Sequence, residues 1–177
     1  TMIKQFSKDE MLRIWRDRAG YVDARCDCVV EYVDGVDNDR RLLADIRRWY
    51  ADLLLNAPVD LLPTENLATE ATVTKISDHS ARIDLPSRGV RLLGLRFKGE
   101  EQEVTTFYSP GSRVERQYSD PSVRMYSRQI AIAYGRSVEV VGGKCDELLS
   151  LRMVANPKDG AFVFDESLLP RLIDMER

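Results

Sequence analysis

Histidine is almost missing from this chain: His79 is the only one in 177 residues. A single imidazole leaves no second histidine for a metal quartet or an acid–base relay. Cysteine is sparse as well, with Cys26, Cys28 and Cys145. An odd count offers no disulfide framework, and the Cys26/Cys28 pair is half of what a structural zinc needs. Buried or idle thiols, and no metal, are the expectation. Lysine supplies 6 of the 26 basic residues and arginine the other 20. Long apolar runs are missing too: no window nears the 18 or more residues of a membrane helix. The segment from Thr1 to Phe6 lacks the apolar core of a secretory signal. Met2 reads as the natural start, and a cytoplasm, with no membrane, as the place where the chain is made.

A net charge of −3 argues against a nucleic-acid binder of the usual basic kind. The arginine excess suits protein interfaces as well as phosphates, and a GC-rich genome inflates it equally. With 44% apolar and 31% charged residues, the chain has enough to bury a proper core.

Signals for catalysis are equally thin. Asp78, His79 and Ser80 are the residue types of a nucleophilic triad, yet neighbours in sequence cannot point at one another as a triad requires. His79 reads as a turn residue. Gly142, Gly143 and Lys144 evoke a phosphate loop but lack its first glycine and the hydroxyl residue after the lysine, so a turn explains them. No paired-carboxylate motif stands out. No catalytic, cofactor-binding or metal residue is assigned, and an enzyme is not expected.

What is present is a clear order of elements. Ser7 and Glu10 form a capping box before a helix whose apolar side is Met11, Ile14, Trp15 and Ala19, ended by Gly20. Tyr21 to Val33 reads as a short extended segment closed by Asp34 and Gly35. Asp37, Asn38 and Asp39 offer caps for a helix with Leu42, Leu43, Ile46, Trp49, Tyr50, Leu53 and Leu54 at helical spacing. From Glu70 the period changes to two. Hairpins are expected around Asp78–His79 and around Gly99, a helical turn at Arg113 to Tyr118, and strands at Gln129 to Tyr134, Ser137 to Val141 and Glu147 to Val154. Asn156 to Gly160 marks a turn. The last helix starts near Ser167, with Pro170 in its first turn.

The fold expected is α+β. A helical region spans 1–63, a β-rich region 64–164 makes an antiparallel sheet or small barrel, and a C-terminal helix covers 165–177. These form one compact domain or two tightly packed subregions.

One stretch rises above background. Between Arg113 and Arg136 stand Arg113, Arg116, Arg124, Arg128 and Arg136 against only Glu115 and Asp120, with Tyr118, Tyr126 and Tyr134 interleaved. Arginine with tyrosine is the composition of a protein interface or of a surface that tracks a nucleic-acid strand, and equally of a solvated sheet face. The acidic chain weights protein contact over nucleic acid.

The order of short signals also resembles a known group. A capped helix is followed by Asp34–Gly35, a helix carrying Trp49–Tyr50 that ends at Leu53, Leu54, Leu55, Asn56, Ala57 and Pro58, then Leu61, Leu62 and Pro63. A strand ends at Leu85–Pro86 shortly before Val90, Arg91 and Leu92. Asp120–Pro121 precedes Ala131, and a leucine-rich strand, Asn156–Pro157 and a terminal helix close the chain. This is similar to the neck or ring proteins between portal and tail of tailed bacteriophages, nearest to those of Bacteroidales and crAss-like phages. Ser87, Arg88 and Gly89 stand where that pattern carries an acid and an aromatic, and its tryptophan near Lys98–Gly99 is absent.

The resemblance implies a non-enzymatic virion protein without cofactors, made in the host cytoplasm. It implies a ring of about a dozen copies on the portal, contacting itself, the portal, and tail or further neck proteins, with packaged DNA only passing by. Arg113, Arg116, Tyr118, Arg124 and Tyr126 are the candidates for one interface. The opposing face is expected from acidic stretches such as Glu100–Glu101 and Asp34 to Asp39. The alternative is a nucleic-acid-binding or regulatory module using 113–136.

Overall fold

The computed structural model describes residues 2–19, 28–126 and 128–169. The fold is α+β, and the chain divides into two units, 1–63 with 156–177, and 64–155.

In the first unit, strand β1 (Ile3–Phe6) leads into helix α1 (Lys8–Ala19). Ser7 caps α1 as expected, its Oγ accepting the Glu10 N–H at 3.2 Å. Helix α2 runs from Cys28 to Asn56 and carries the buried stripe Leu42, Ile46, Trp49, Tyr50, Leu53 and Leu54. It begins earlier than its capping signals. Residues 28–33, read above as extended, are helical, and Asp37 to Asp39 lie inside the helix; the remainder of that segment, 21–27, lies outside the described residues. Once the strong stripe nucleates a helix, each added residue gains a backbone bond, and β-branched residues cost well under 1 kcal/mol each. Asp39 is not a cap here but an ion-pair partner of Arg16 on α1.

A single 3₁₀ turn follows α2 at Val59–Leu61. The unit is completed from the far end of the chain. Strand β10 (Phe162–Asp165) pairs antiparallel with β1, Ile3 opposite Asp165 and Phe6 opposite Phe162. Residues 162–164, grouped above with the β-rich region, therefore belong with the N-terminal helices, because their phenylalanines join that core. Phe164 stacks on Phe6 at 4.9 Å and meets the edge of Trp49 at 5.5 Å, and Trp49 in turn meets Trp15 at 6.2 Å. Of the helix expected over 165–177, Asp165 instead closes β10 and Glu166–Leu168 form a 3₁₀ turn in which the Asp165 carboxylate accepts the Ser167 N–H; residues 170–177 lie outside the described residues.

The second unit is two sheets over one core. The five-stranded sheet has the order β3 (Thr72–Ser77), β4 (Ser80–Asp84), β8 (Ser137–Val141), β7 (Ile130–Tyr134), β6 (Phe107–Tyr108). The three-stranded sheet has β2 (Thr64–Asn66), β9 (Leu148–Ala155) and β5 (Gly89–Phe97). Alternation puts Ala81, Ile83, Ala131, Val138 and Val140 of one sheet against Leu95, Phe97, Leu151 and Met153 of the other. The hairpin around Asp78–His79 forms as β3–β4. In the β7–β8 hairpin, Tyr134 pairs with Ser137 across a two-residue loop, and Gly135 takes the φ of +66° that so tight a loop demands.

The hairpin expected around Gly99 does not form. β5 takes β9 as its partner, and the segment after Gly99 touches β5 in a single bridge, Leu95 to Val104. Burying Leu95 and Phe97 beside Leu151 and Met153 outweighs the extra closure entropy of the longer connection, which grows only slowly with length. β6 then crosses to the other sheet and pairs parallel with β7, the one parallel pair among the described strands. Two arginines fix the connection between β4 and β5. Arg88 forks onto Glu65 at 2.9 Å and Glu70 at 2.8 Å, while Arg136 donates to the carbonyls of Pro86 at 2.5 Å and Gly89 at 2.8 Å.

Candidate interface on the outer sheet face

Between β6 and β7 the chain leaves the sheet for two short helices, α3 (Arg113–Gln117) and α4 (Pro121–Tyr126). Each has a local reason to form. Ser112 Oγ accepts the Glu115 N–H at 3.3 Å, and Asp120 Oδ1 accepts the Ser122 N–H at 2.9 Å with Pro121 at the first helical position. The Ser122 hydrogen bonds hold the Asp120 carboxyl below its ordinary range. Val114 and Tyr118 anchor this excursion by packing on Ile130, Ile132 and Val141, the outward side chains of β7 and β8.

Hydrogen bonds lock the excursion in place. Glu115 accepts the Gly111 N–H at 2.7 Å with one oxygen and the Tyr134 hydroxyl at 3.0 Å with the other. Burial, with Glu115 adding, pushes the Tyr134 phenol up to about 12. Tyr118 gives its hydroxyl to the Arg128 carbonyl at 2.7 Å, and Arg124 Nε donates to the Tyr118 carbonyl at 2.5 Å. Arg116 donates one Nη to the Gly111 carbonyl at 3.2 Å. Between the excursion and the sheet lies a cleft of about 200 Å³. Arg116, Arg124 and Glu139 line it over a floor of Ile132 and Val141.

Of the residues singled out in the sequence, Arg116, Tyr118 and Arg124 share this cleft, and Arg113 is exposed on the same short helix. The side chain of Tyr126 lies outside those described. Arg136 is elsewhere, spent on the Pro86 and Gly89 carbonyls. Sequence reasoning missed Glu139 and Ile132, which face each other in the β7–β8 register. The available signal was that β7 and β8 carry large apolar residues on both faces, so something had to cover the outer one.

The other candidates settle into structural roles. His79 Nδ1 lies 2.7 Å from the Gly143 carbonyl, and the Gly142 N–H donates to the His79 carbonyl at 2.7 Å, so both belong to adjoining turns. Cys145 is buried and receives the Gln129 amide N–H at 3.4 Å; burial pushes its thiol up to about 11, far from a reactive thiolate at neutral pH. Cys26 and the side chain of Cys28 lie outside the described residues. Among the described residues no group of three or more His, Cys, Asp or Glu is placed to hold a metal ion, and no helix is long and apolar enough to cross a membrane. In comparisons with known proteins, no family model and no curated sequence matches this chain.

Proposed function

We propose that this chain is a structural virion protein, a head–tail connector or neck subunit that assembles with copies of itself into a closed ring between portal and tail of a tailed phage. The observation that carries this reading is the locked α3–α4 excursion. It is a rigid, arginine-bearing surface held out from a sheet by its own hydrogen bonds, which lowers the ordering cost of a contact. The order of signals shared with neck proteins points the same way.

Protein contact is favoured over nucleic acid at this surface. The Tyr118 ring packs on Ile130, Ile132 and Val141 and its hydroxyl is engaged, so it is not free to stack on a base. Glu139 in the same cleft repels phosphate. An acidic subunit also avoids gripping DNA that must slide past it.

Mass photometry with negative-stain imaging over a concentration series tests the proposal. Closed rings of uniform mass with a central hole are expected. A monomer at every concentration, together with DNA binding that falls steeply with salt, would overturn it in favour of a nucleic-acid module.

A further inference from the structure

We infer that the cleft between the α3–α4 excursion and the outer face of β7 and β8 receives the turn from Lys98 to Glu101 of a neighbouring copy of this chain. The inference rests on the ring reading and names the two surfaces that would make its contact.

The cleft is built for a ligand carrying both signs of charge. Arg124 is committed through Nε alone and Arg116 through one Nη, so their remaining N–H groups have no acceptor among the described residues. The Glu139 carboxylate has no hydrogen-bond or ion-pair partner among the described residues, while both oxygens of Glu115 are occupied. A carboxylate entering over Ile132 and Val141 meets two guanidiniums, the strongest common pairing for that group. An ammonium beside it meets Glu139. A volume of about 200 Å³ takes the tip of a turn and not a helix.

The turn after β5 carries that pair of charges. Gly99 sits at φ +93° with open space where a side chain would stand, so the tip is slim. Three acids follow it, and two are turned toward their own subunit. The Glu100 carboxylate lies against Gly143, and Glu103 is held by Arg152 at 3.0 Å. Glu101 is exposed with no partner among the described residues. The Lys98 ammonium, 69% exposed, has only a 3.7 Å approach to an exposed Glu147, a pairing of little worth in water. Cleft and turn are different patches of one subunit. The contact is therefore head-to-tail, propagates from copy to copy, and closes when its rotation permits.

Two measurements decide it. In the first, ¹⁵N-labelled full-length Glu101→Ala protein, whose cleft is intact and whose own turn is disabled, is titrated with a wild-type peptide of residues 96–105. Saturable amide shifts confined to 111–124 and 132–141 are expected, abolished by Glu101→Lys in the peptide and by Arg116→Gln or Glu139→Gln in the protein. No shift at millimolar peptide, or shifts elsewhere, would overturn the inference. In the second, Arg116→Glu and Glu101→Ala are each expected to be monomeric alone and to stop at dimers when mixed, since each supplies one intact surface and the two altered surfaces do not complement each other. Arg116→Glu leaves the Arg124 bond to Tyr118 in place, and circular dichroism checks its fold. Wild-type rings that persist in both variants would overturn this contact and leave the ring reading standing. Cleft-confined peptide shifts, together with a wild type that never closes rings, would overturn the ring reading and support the contact as a pairwise one.

Discussion

The Tyr50 hydroxyl satisfies both backbone groups of Val163, donating to its carbonyl at 2.9 Å and accepting its N–H at 3.1 Å. A side chain of α2 thus stands where a further strand would pair with β10. It caps a sheet edge and fastens the helix to it. Tyr50→Phe keeps the ring against Phe162 at 5.2 Å but orphans a donor and an acceptor at once. We expect a loss of about 1–3 kcal/mol, read as a lower midpoint in urea unfolding with an unchanged slope. Unaltered stability would show that water serves Val163 as well.

The same residue sets an alkaline limit. Burial pushes the Tyr50 phenol from its ordinary 10.0 up to about 12. Between those values the unfolded chain loses a proton that the folded chain keeps, so unfolding becomes easier as pH rises from 10 to about 12. Below pH 10 this contribution is flat. Urea midpoints across that window are expected to fall in the wild type and to fall less in Tyr50→Phe. Tyr134 acts in the same direction in both proteins and cancels from the comparison.

Gly94 offers a change of sign. A methyl group there would overlap the Glu103 carboxylate, and the three atoms nearest that position all belong to Glu103. Glu103 crosses β5 at this glycine to reach Arg152, which is the registered partner of Gly94 on β9. Gly94→Ala is expected to destabilise by about 1 kcal/mol through loss of that half-buried pair and displacement of the chain. In a Glu103→Ala background the obstacle is gone and the backbone needs no positive φ. The same Gly94→Ala is then expected to stabilise by about 0.5–1 kcal/mol. Equal effects in both backgrounds would refute the account.

Cys145 is expected to resist alkylation in the folded protein. Its burial removes access and its raised pKa, about 11, removes the thiolate. Peptide mapping after iodoacetamide treatment is expected to find Cys145 unmodified in buffer and fully modified in guanidinium. Rapid labelling of the native protein would mean that the Gly142–Asp146 loop opens readily.

The elements visible in the sequence are those whose signals are local. Ser7 and Glu10 announce α1, and the alternation around Asp78–His79 and at Ser137 to Val141 announces strands that pair with their neighbours in sequence. The rest depends on distant partners. Neither Ile3–Phe6 nor Phe162–Asp165 is long enough to show a period, and each is a strand only because the other is there. β5 leaves its adjacent segment for β9, and β6 pairs parallel with β7 across the whole excursion. The start of α2 at Cys28 lies well ahead of the capping residues Asp37 to Asp39 that stand before its apolar stripe. For the candidate interface, the arginines and tyrosines of 113–124 were legible as composition. Their cleft was not, since its floor and its acid, Ile132 and Glu139, come from two strands whose register places them together. The removal of Arg136 from the patch could be seen only once the Pro86–Gly89 connection was in place.

The placement of β2 beside β9 has a consequence for the order of events during synthesis. Thr64 and Val154, close to the first and last residues of the second unit, are registered partners in one sheet. β1, by contrast, must wait for β10, which is made only after the whole inner unit. Before the inner unit folds, joining them means closing a loop of most of the chain. Afterwards the two halves of the first unit leave from neighbouring points, and the entropic cost of their meeting falls to that of a short connection. The inner unit is thereby the natural first step, and a lesion in the β2–β9 ladder would delay maturation of helices it does not contain.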